Sequence, residues 1–155
     1  MTLTVDADDA GWDAIPGLEE RARAAVDAAL QATGLAGDCV EVALLFTGDA
    51  EIAVLNQEWR GKSGPANVLS FPADEFPAPR GEAKPLGDIV LAYGTVAREA
   101  GEQGKALLDH TIHLIIHGVL HLLGHDHLES GEAEAMEDLE RRILSQFGIA
   151  DPYEP

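Results

Sequence analysis

The chain has 155 residues, 46% of them hydrophobic, which predicts one compact domain, residues 1–155, that can bury a core. No apolar run approaches the roughly 18 residues of a membrane span, and the amino terminus has neither a basic start nor an apolar segment, so we expect a cytoplasmic protein. Cys39 is the only cysteine, which excludes an internal disulfide and favours a buried structural thiol. The formal net charge of −18 opposes binding to phosphates over most of the surface.

The first part of the chain is predicted to alternate strands and helices. Residues 2–6 alternate polar and apolar side chains, as a half-buried strand does. Residues 16–33 repeat apolar side chains at helical spacing after an initial proline, which predicts an amphipathic helix. Residues 40–46 are β-branched and apolar and predict a second strand. Asp49 is expected to cap a helix that ends near residue 58.

The second part of the chain contains one long irregular segment and three predicted helices. A strand at 68–71 is followed by a loop rich in proline and glycine up to residue 85. The remaining elements are a strand at 88–92, a helix capped by Thr95 that ends before Gly104, a helix from about 105 that is apolar on nearly every side, and a last helix at 131–147. These elements predict an α+β fold with a mixed sheet of about four strands, about five helices and the apolar helix buried at the centre.

Three histidines near the end of that buried helix have the spacing of metal ligands. His117 and His121 are four residues apart and therefore share one helical face. His127 can join them only if the helix stops, and Gly124 can end it by adopting the left-handed conformation. Three neutral nitrogens with a fourth position open is the arrangement of a catalytic zinc site. We therefore predict one zinc ion per chain, bound by His117, His121 and His127.

The same stretch matches the H-E-x-x-H-x-x-G-x-x-H pattern of metzincin proteases except at one position. Gly118 stands where those proteases have the glutamate that acts as general base. The predicted metal ligands are retained, whereas peptide hydrolysis by the metzincin route is disfavoured.

The H-G-x-L-H-L-x-G-x-D-H string of residues 117–127 resembles the bacterial YbeY-type endoribonucleases, small zinc proteins of ribosomal RNA maturation. Residues 55–62, 65–72 and 86–89 resemble three further segments of that family, in the same order. Asn67 stands where the family usually has aspartate, and His125 where it usually has an aromatic residue.

The resemblance implies a zinc-dependent endoribonuclease specific for single strands, acting in 16S rRNA 3′-end maturation and ribosome quality control. It implies ribosomal RNA and the small ribosomal subunit as partners, and we expect a monomer. It also implies that Arg60 is catalytic, because a guanidinium can bind a phosphodiester through two donors and stabilise the charge of the transition state. The ion would polarise a phosphoryl oxygen or activate water, and the attacking group could be water or the 2′-hydroxyl of the RNA. Two alternatives stay open: a metal-dependent hydrolase of peptides or small molecules, and a non-catalytic ribosome-assembly factor with a structural zinc.

The other histidines are assigned lesser roles. His113 shares the face of His117, but ligands at i, i+4 and i+8 are spread along the helix axis and cannot converge on one ion, so a supporting or packing role is expected. His110 is expected to be exposed. His125 could supply a proton, but a position at the rim of the site is favoured. Asp126 could orient a histidine or serve in a turn.

The repulsion between this acidic chain and RNA phosphates is reduced if cations gather near the predicted site. The basic residues that lie between the family-like segments are Arg60, Lys62, Arg80, Lys84 and Arg98. The six acids of residues 129–140 are expected to lie away from the site. Lys62 is a weaker candidate than Arg60 for phosphate binding, and Ser70 and Asp88 are expected to form structural hydrogen bonds.

Overall fold

The fold is taken from a computed structural model that describes residues 2–34, 40–73, 84–124 and 130–152. Within these ranges the chain forms four strands, five α-helices and one short 3-10 helix. In chain order they are β1 (Thr2–Ala7), the 3-10 helix (Ala10–Ala14), α1 (Leu18–Ala32), β2 (Val40–Thr47), α2 (Asp49–Arg60), β3 (Val68–Pro72), β4 (Lys84–Ala92), α3 (Tyr93–Gln103), α4 (Leu107–Leu122) and α5 (Ser130–Ser145).

The strands form one mixed sheet in the order β1-β2-β4-β3. β2 is parallel to both β1 and β4, whereas β3 pairs antiparallel with β4 and lies at an edge of the sheet. Five helices with a mixed four-stranded sheet confirm the predicted α+β class.

The two faces of the sheet are covered unequally. Successive side chains of a strand point to opposite faces, so Leu44 and Ile89 lie on one face while Leu45 and Val90 lie on the other. The first face, here called the α4 face, packs with α1, α4 and α5 into the main core. The second, called the α2 face, has a smaller core in which Ile52 of α2 meets the sheet.

Helix α4 is the most deeply buried helix in the described part of the chain, as its apolar circumference predicts. Nine of its residues are buried, among them Ile112, Ile115, Ile116 and Val119. Full burial of an aliphatic side chain of this size contributes about 1.5–3 kcal/mol. The helix is therefore fixed in place by its packing.

Gly118 is where α4 comes closest to the sheet. A Cβ atom at this position would lie 3.0 Å from Ile89 Cγ2 and 3.1 Å from Ser70 Oγ, and Ser70 Oγ donates a hydrogen bond of 3.3 Å to the Gly118 carbonyl. Position 118 thus faces the strands, where a glutamate side chain has no room. The absence of the metzincin base follows from the packing of this helix.

Both capping predictions were wrong, for one shared reason. Gly48 precedes α2 as its N-cap, and α3 begins at Tyr93 rather than at Thr95. The Asp49 carboxylate instead accepts hydrogen bonds from Thr95 N (2.8 Å) and Thr95 Oγ1 (2.9 Å). Asp49 therefore satisfies the first turn of α3, not that of its own helix.

Other boundaries differ less from the sequence predictions. Helix α1 begins at Leu18, because Gly17 at its N-cap is left-handed with φ of 70°. Gly104 ends α3 and Gly124, with φ of 91°, follows the end of α4, as predicted. Most of the predicted loop, residues 74–83, and Cys39 lie outside the described residues.

The close approach at Gly118 generates a stability prediction. We expect Gly118→Ala to lower the free energy of unfolding by about 1–3 kcal/mol, because the new methyl group overpacks the helix–sheet contact. Gly101→Ala is the matched control, since it is also helical but has open space around it, and it should stabilise by about 0.5–1 kcal/mol. Urea denaturation measures both variants, and a Gly118→Ala protein as stable as the unmodified chain would contradict the described packing.

Candidate metal centre

A row of histidines along α4 faces a cavity of about 880 Å³. His110, His113, His117 and His121 all line it, at spacings of three and four residues that keep them on one side of the helix. The ring centroids of His117 and His121 are 4.5 Å apart, and those of His113 and His117 are 6.3 Å apart.

The Nε2 atoms of His117 and His121 converge on one point at the cavity wall. They lie 3.0 Å apart. Two nitrogens that each bind a tetrahedral zinc ion at about 2.1 Å are separated by roughly 3.4 Å, so a small adjustment of the rings would admit an ion. His127, the third predicted ligand, lies outside the described residues, as do His125 and Asp126.

Glu140 of α5 meets these histidines from the side away from the cavity. Its carboxylate is fully buried and accepts hydrogen bonds from His117 Nδ1 and, at 3.2 Å, from His113 Nε2. A neutral imidazole carries one N–H, so placing that proton on His117 Nδ1 makes Nε2 an acceptor that faces His121. A carboxylate behind a ligating histidine is the arrangement that fixes the tautomer and the ring orientation in metal sites.

The position of Glu140 overturns the expectation that the acids of 129–140 lie away from the site. One signal in the sequence could have revealed it. Glu140 is four residues after Met136 and three before Ile143, both fully buried, so it interrupts the apolar stripe of α5. A carboxylate on the buried face of a helix needs a partner, and the partner is the pair of histidines.

His113, His117 and Glu140 also form a group that could hold a metal ion, with ligand atoms within 4.8 Å of one another. In the structure the two histidine–carboxylate contacts of this group are hydrogen bonds. The Nε2 atoms of His117 and His121, which face each other 3.0 Å apart, offer a second possible pair of ligands, with Glu140 orienting the His117 ring. The supporting role of His113 stays a prediction, and its Nε2 bonds to Glu140.

Arg60 lies at the same cavity as the histidines. It is the last residue of α2, and its Nη2 donates a hydrogen bond to the carbonyl oxygen of Ser70 on the edge strand β3. Its guanidinium carbon is 4.9 Å from the centre of the Phe71 ring. A guanidinium has five N–H donors, which is more than the Ser70 carbonyl can use.

Two lysines offset part of the repulsion between the acidic chain and phosphates at this cavity. Lys62 and Lys105 line it together with Arg60, so three of the ten basic residues of the chain gather there. Arg98 instead pairs with Glu102 on the exposed side of α3. Arg80 and the side chain of Lys84 lie outside the described residues.

His110 is buried, which contradicts the prediction that it is exposed. Only 4% of its surface is accessible, and its Nε2 lies 3.0 Å from Glu99 Oε1. Burial lowers the pKa of His110, although the hydrogen bond to Glu99 opposes that effect. Glu99 also accepts a bond of 2.9 Å from the Asn67 amide, a donor that an ionised aspartate at this position would lack.

The two remaining candidates line different cavities. Ser70 lines the histidine cavity, and its hydroxyl forms the predicted structural hydrogen bond, to the backbone of α4. Asp88 lines a different cavity, on the α2 face of the sheet.

Comparison with protein families shows which family the chain belongs to. A family model described as Endoribonuclease YbeY matches residues 9–148. The chain belongs to the YbeY endoribonuclease family. The resemblance read from the sequence is thereby confirmed.

Individual relatives agree with the family model. A protein named Endoribonuclease YbeY from Dinoroseobacter shibae is 48% identical over 99% of this chain and 91% of its own. The protein of the same name from Ruegeria pomeroyi is 45% identical, with coverage of 99% and 98%. The solution structure of TM1509 from Thermotoga maritima shares the fold, with a TM-score of 0.56 and 23% identity over 99% of this chain and all of that one.

One further expectation concerns membranes. In the described part of the chain, every helix is too short or too polar to cross a bilayer.

Proposed function

We propose that the protein is a metal-dependent endoribonuclease that cleaves single-stranded RNA. Zinc would be held by His117, His121 and His127, and Arg60 would bind the phosphate that is cleaved. The observation that carries this proposal is the pair of Nε2 atoms 3.0 Å apart, at a cavity that also holds Arg60, in a chain of an endoribonuclease family.

The described donors fit a zinc ion. Zinc accepts imidazole nitrogens, and the chain offers two that converge and are backed by a buried carboxylate. His127 enters the proposal from its sequence spacing alone. When bound, zinc supplies a Lewis acid that offsets negative charge on the phosphate and makes an oxygen nucleophile available near neutral pH.

The residues of the chain bind and orient the substrate. Arg60 can hold a phosphodiester through two parallel hydrogen bonds and stabilise the charge that grows on its oxygens. Lys62 and Lys105 offset the repulsion that the acidic chain exerts on RNA. Glu140 and His113 act through His117, as positioning residues that keep its Nε2 unprotonated and turned towards His121.

Two nucleophiles are compatible with this site: water and the 2′-hydroxyl of the RNA. Position 118 faces the sheet, so it offers no base on the cavity side. Attack by water leaves a terminal phosphate, whereas attack by the 2′-hydroxyl leaves a cyclic phosphate, and analysis of the product ends separates the two.

We propose the cellular role from family membership. That role is maturation of the 16S rRNA 3′ end and ribosome quality control in the cytoplasm, with the small ribosomal subunit as partner. We further propose that residues 1–155 act as one domain and as a monomer.

The proposal predicts how cleavage responds to metal and to two arginines. A labelled single-stranded RNA should be cut by the zinc-loaded protein and left intact by the chelated protein or by His121→Ala. Arg60→Ala should lower kcat/KM by about 10²–10³ with zinc content unchanged, because transition-state stabilisation is lost. Arg98→Ala is the matched control, an exposed arginine away from the cavity, and should retain full activity.

Three results would speak against this function. Cleavage that survives chelation and His121→Ala points to a contaminating nuclease. Hydrolysis of casein without cleavage of RNA assigns the site to peptides. Full activity of Arg60→Ala removes the proposed phosphate ligand.

The role of Glu140 can be measured without any cleavage assay. We expect Glu140→Gln to weaken zinc binding by about 10–100-fold, because an amide has one acceptor oxygen and cannot receive N–H bonds from both His113 and His117 through two oxygens. Competition with a chromophoric chelator gives the affinity, and circular dichroism checks the fold. Glu137→Gln on the same helix, next to Arg141, is the control, and equal zinc affinity in all three proteins would refute the positioning role.

A further inference from the structure

A second cavity, of about 730 Å³, lies on the α2 face of the sheet. Leu55, Trp59 and Arg60 of α2 line one side of the cavity, and residues of the strands line the rest. Strand alternation places Phe71 and Asp88 side by side on its floor. Its size is in the range of cavities that hold a ligand as large as a nucleotide.

Trp59 lines this cavity, and most of its side chain is exposed to solvent. It is 68% accessible, and the other large apolar side chain that is exposed among the described residues is Val54, at 50%. The Trp59 ring meets Phe71 edge-on, with ring centroids 6.4 Å apart. Trp12 shows the contrasting case, since it is 2% exposed and its Nε1 donates to the Thr47 carbonyl.

Arg60 connects this aromatic patch, Trp59 and Phe71, to the histidine cavity. It lines both cavities. From the end of α2 it reaches the edge strand β3, where it bonds to the Ser70 carbonyl and lies over the Phe71 ring. A phosphate held by Arg60 would therefore have the histidines on one side and the aromatic patch on the other.

We propose that the aromatic patch is a base-stacking site for single-stranded RNA. The base of a nucleotide next to the phosphate on Arg60 would stack on the Trp59 ring. This inference rests on the proposed function and adds a substrate contact to it. Stacking of a base on an aromatic side chain is favourable and tolerates any base, because every base has a π-face.

The charges around the patch limit its occupant to one base. Asp6 and Glu41 line the far part of the cavity and Asp88 lies beside Phe71, so these carboxylates would repel further phosphates. The backbone would therefore leave towards Arg60 and Lys62. Bases of a duplex are already stacked on their neighbours, so the patch would favour single strands without reading sequence.

Intrinsic fluorescence can test this contact, because the chain has only two tryptophans and Trp12 is buried. Chelated protein, which does not cleave under the proposed mechanism, is titrated with a short single-stranded RNA. The comparison ligands are the matching duplex and an abasic strand with the same phosphates. We expect the single strand to quench Trp59 emission and the other two to leave it nearly unchanged.

The contribution of this contact to RNA affinity is then measured with variants, by the fluorescence anisotropy of labelled RNA. Trp59→Ala should bind the single strand roughly 5- to 100-fold more weakly, the effect of one lost base–aromatic stack. Trp59→Phe should recover much of that loss, since it keeps a ring. Val54→Ala is the matched control on the same helix, and should bind normally.

The outcomes separate this inference from the proposed function. Equal binding by Trp59→Ala and the unmodified chain overturns the stacking site, even if zinc and Arg60 prove essential for cleavage. Quenching by the abasic strand overturns it too, as does quenching by a lysine-rich peptide but not by RNA, which would assign the patch to a basic protein. Quenching and weakened Trp59→Ala binding without zinc-dependent cleavage would uphold the stacking site while the catalytic proposal fails.

Discussion

The buried carboxylate of Glu140 is the contact on which the rest of the site depends. It lies between His113 and His117 with no exposed surface, and a buried charge without partners would cost several kcal/mol. The two imidazole N–H groups satisfy it and so bind α5 to α4. The same bonds fix the proton of His117 on Nδ1, which leaves Nε2 as an acceptor that faces His121. One interaction thus stabilises the helix pair and prepares the candidate metal ligand.

The sheet supports the site and separates the two helices that contribute to it, with α4 on one face and α2 on the other. Gly118 lets α4 lie close against the strands, so the histidines project from a helix that cannot shift. Arg60 approaches from the other face, at the end of α2, and reaches the same cavity around the edge strand β3. The acidic surface elsewhere repels RNA, while three cations gather at this cavity. Repulsion from the acidic surface then favours binding of a strand at this cavity, whose lining holds three cations and one acid, Glu99.

Local patterns predicted much of this structure, and contacts between distant residues account for what was missed. The fold class follows from strand alternation and helical spacing, and the pairing of His117 with His121 follows from a separation of one helical turn. Glu140 was missed because its partner His117 lies 23 residues away on another helix. The helix caps were misassigned for the same reason, since Asp49 bonds to Thr95 across 46 residues. His110 was wrongly expected to be exposed because Glu99 of α3 contacts it only in the folded chain.

The protonation of the His117 ring is the most direct measure of this account. Long-range ¹H–¹⁵N correlation spectra of the histidine side chains, recorded on the metal-free protein at neutral pH, distinguish the two neutral tautomers. The account predicts that His117 carries its proton on Nδ1 and that this preference is lost in Glu140→Gln. A proton on Nε2 of His117, or the same tautomer with and without the Glu140 carboxylate, would contradict it.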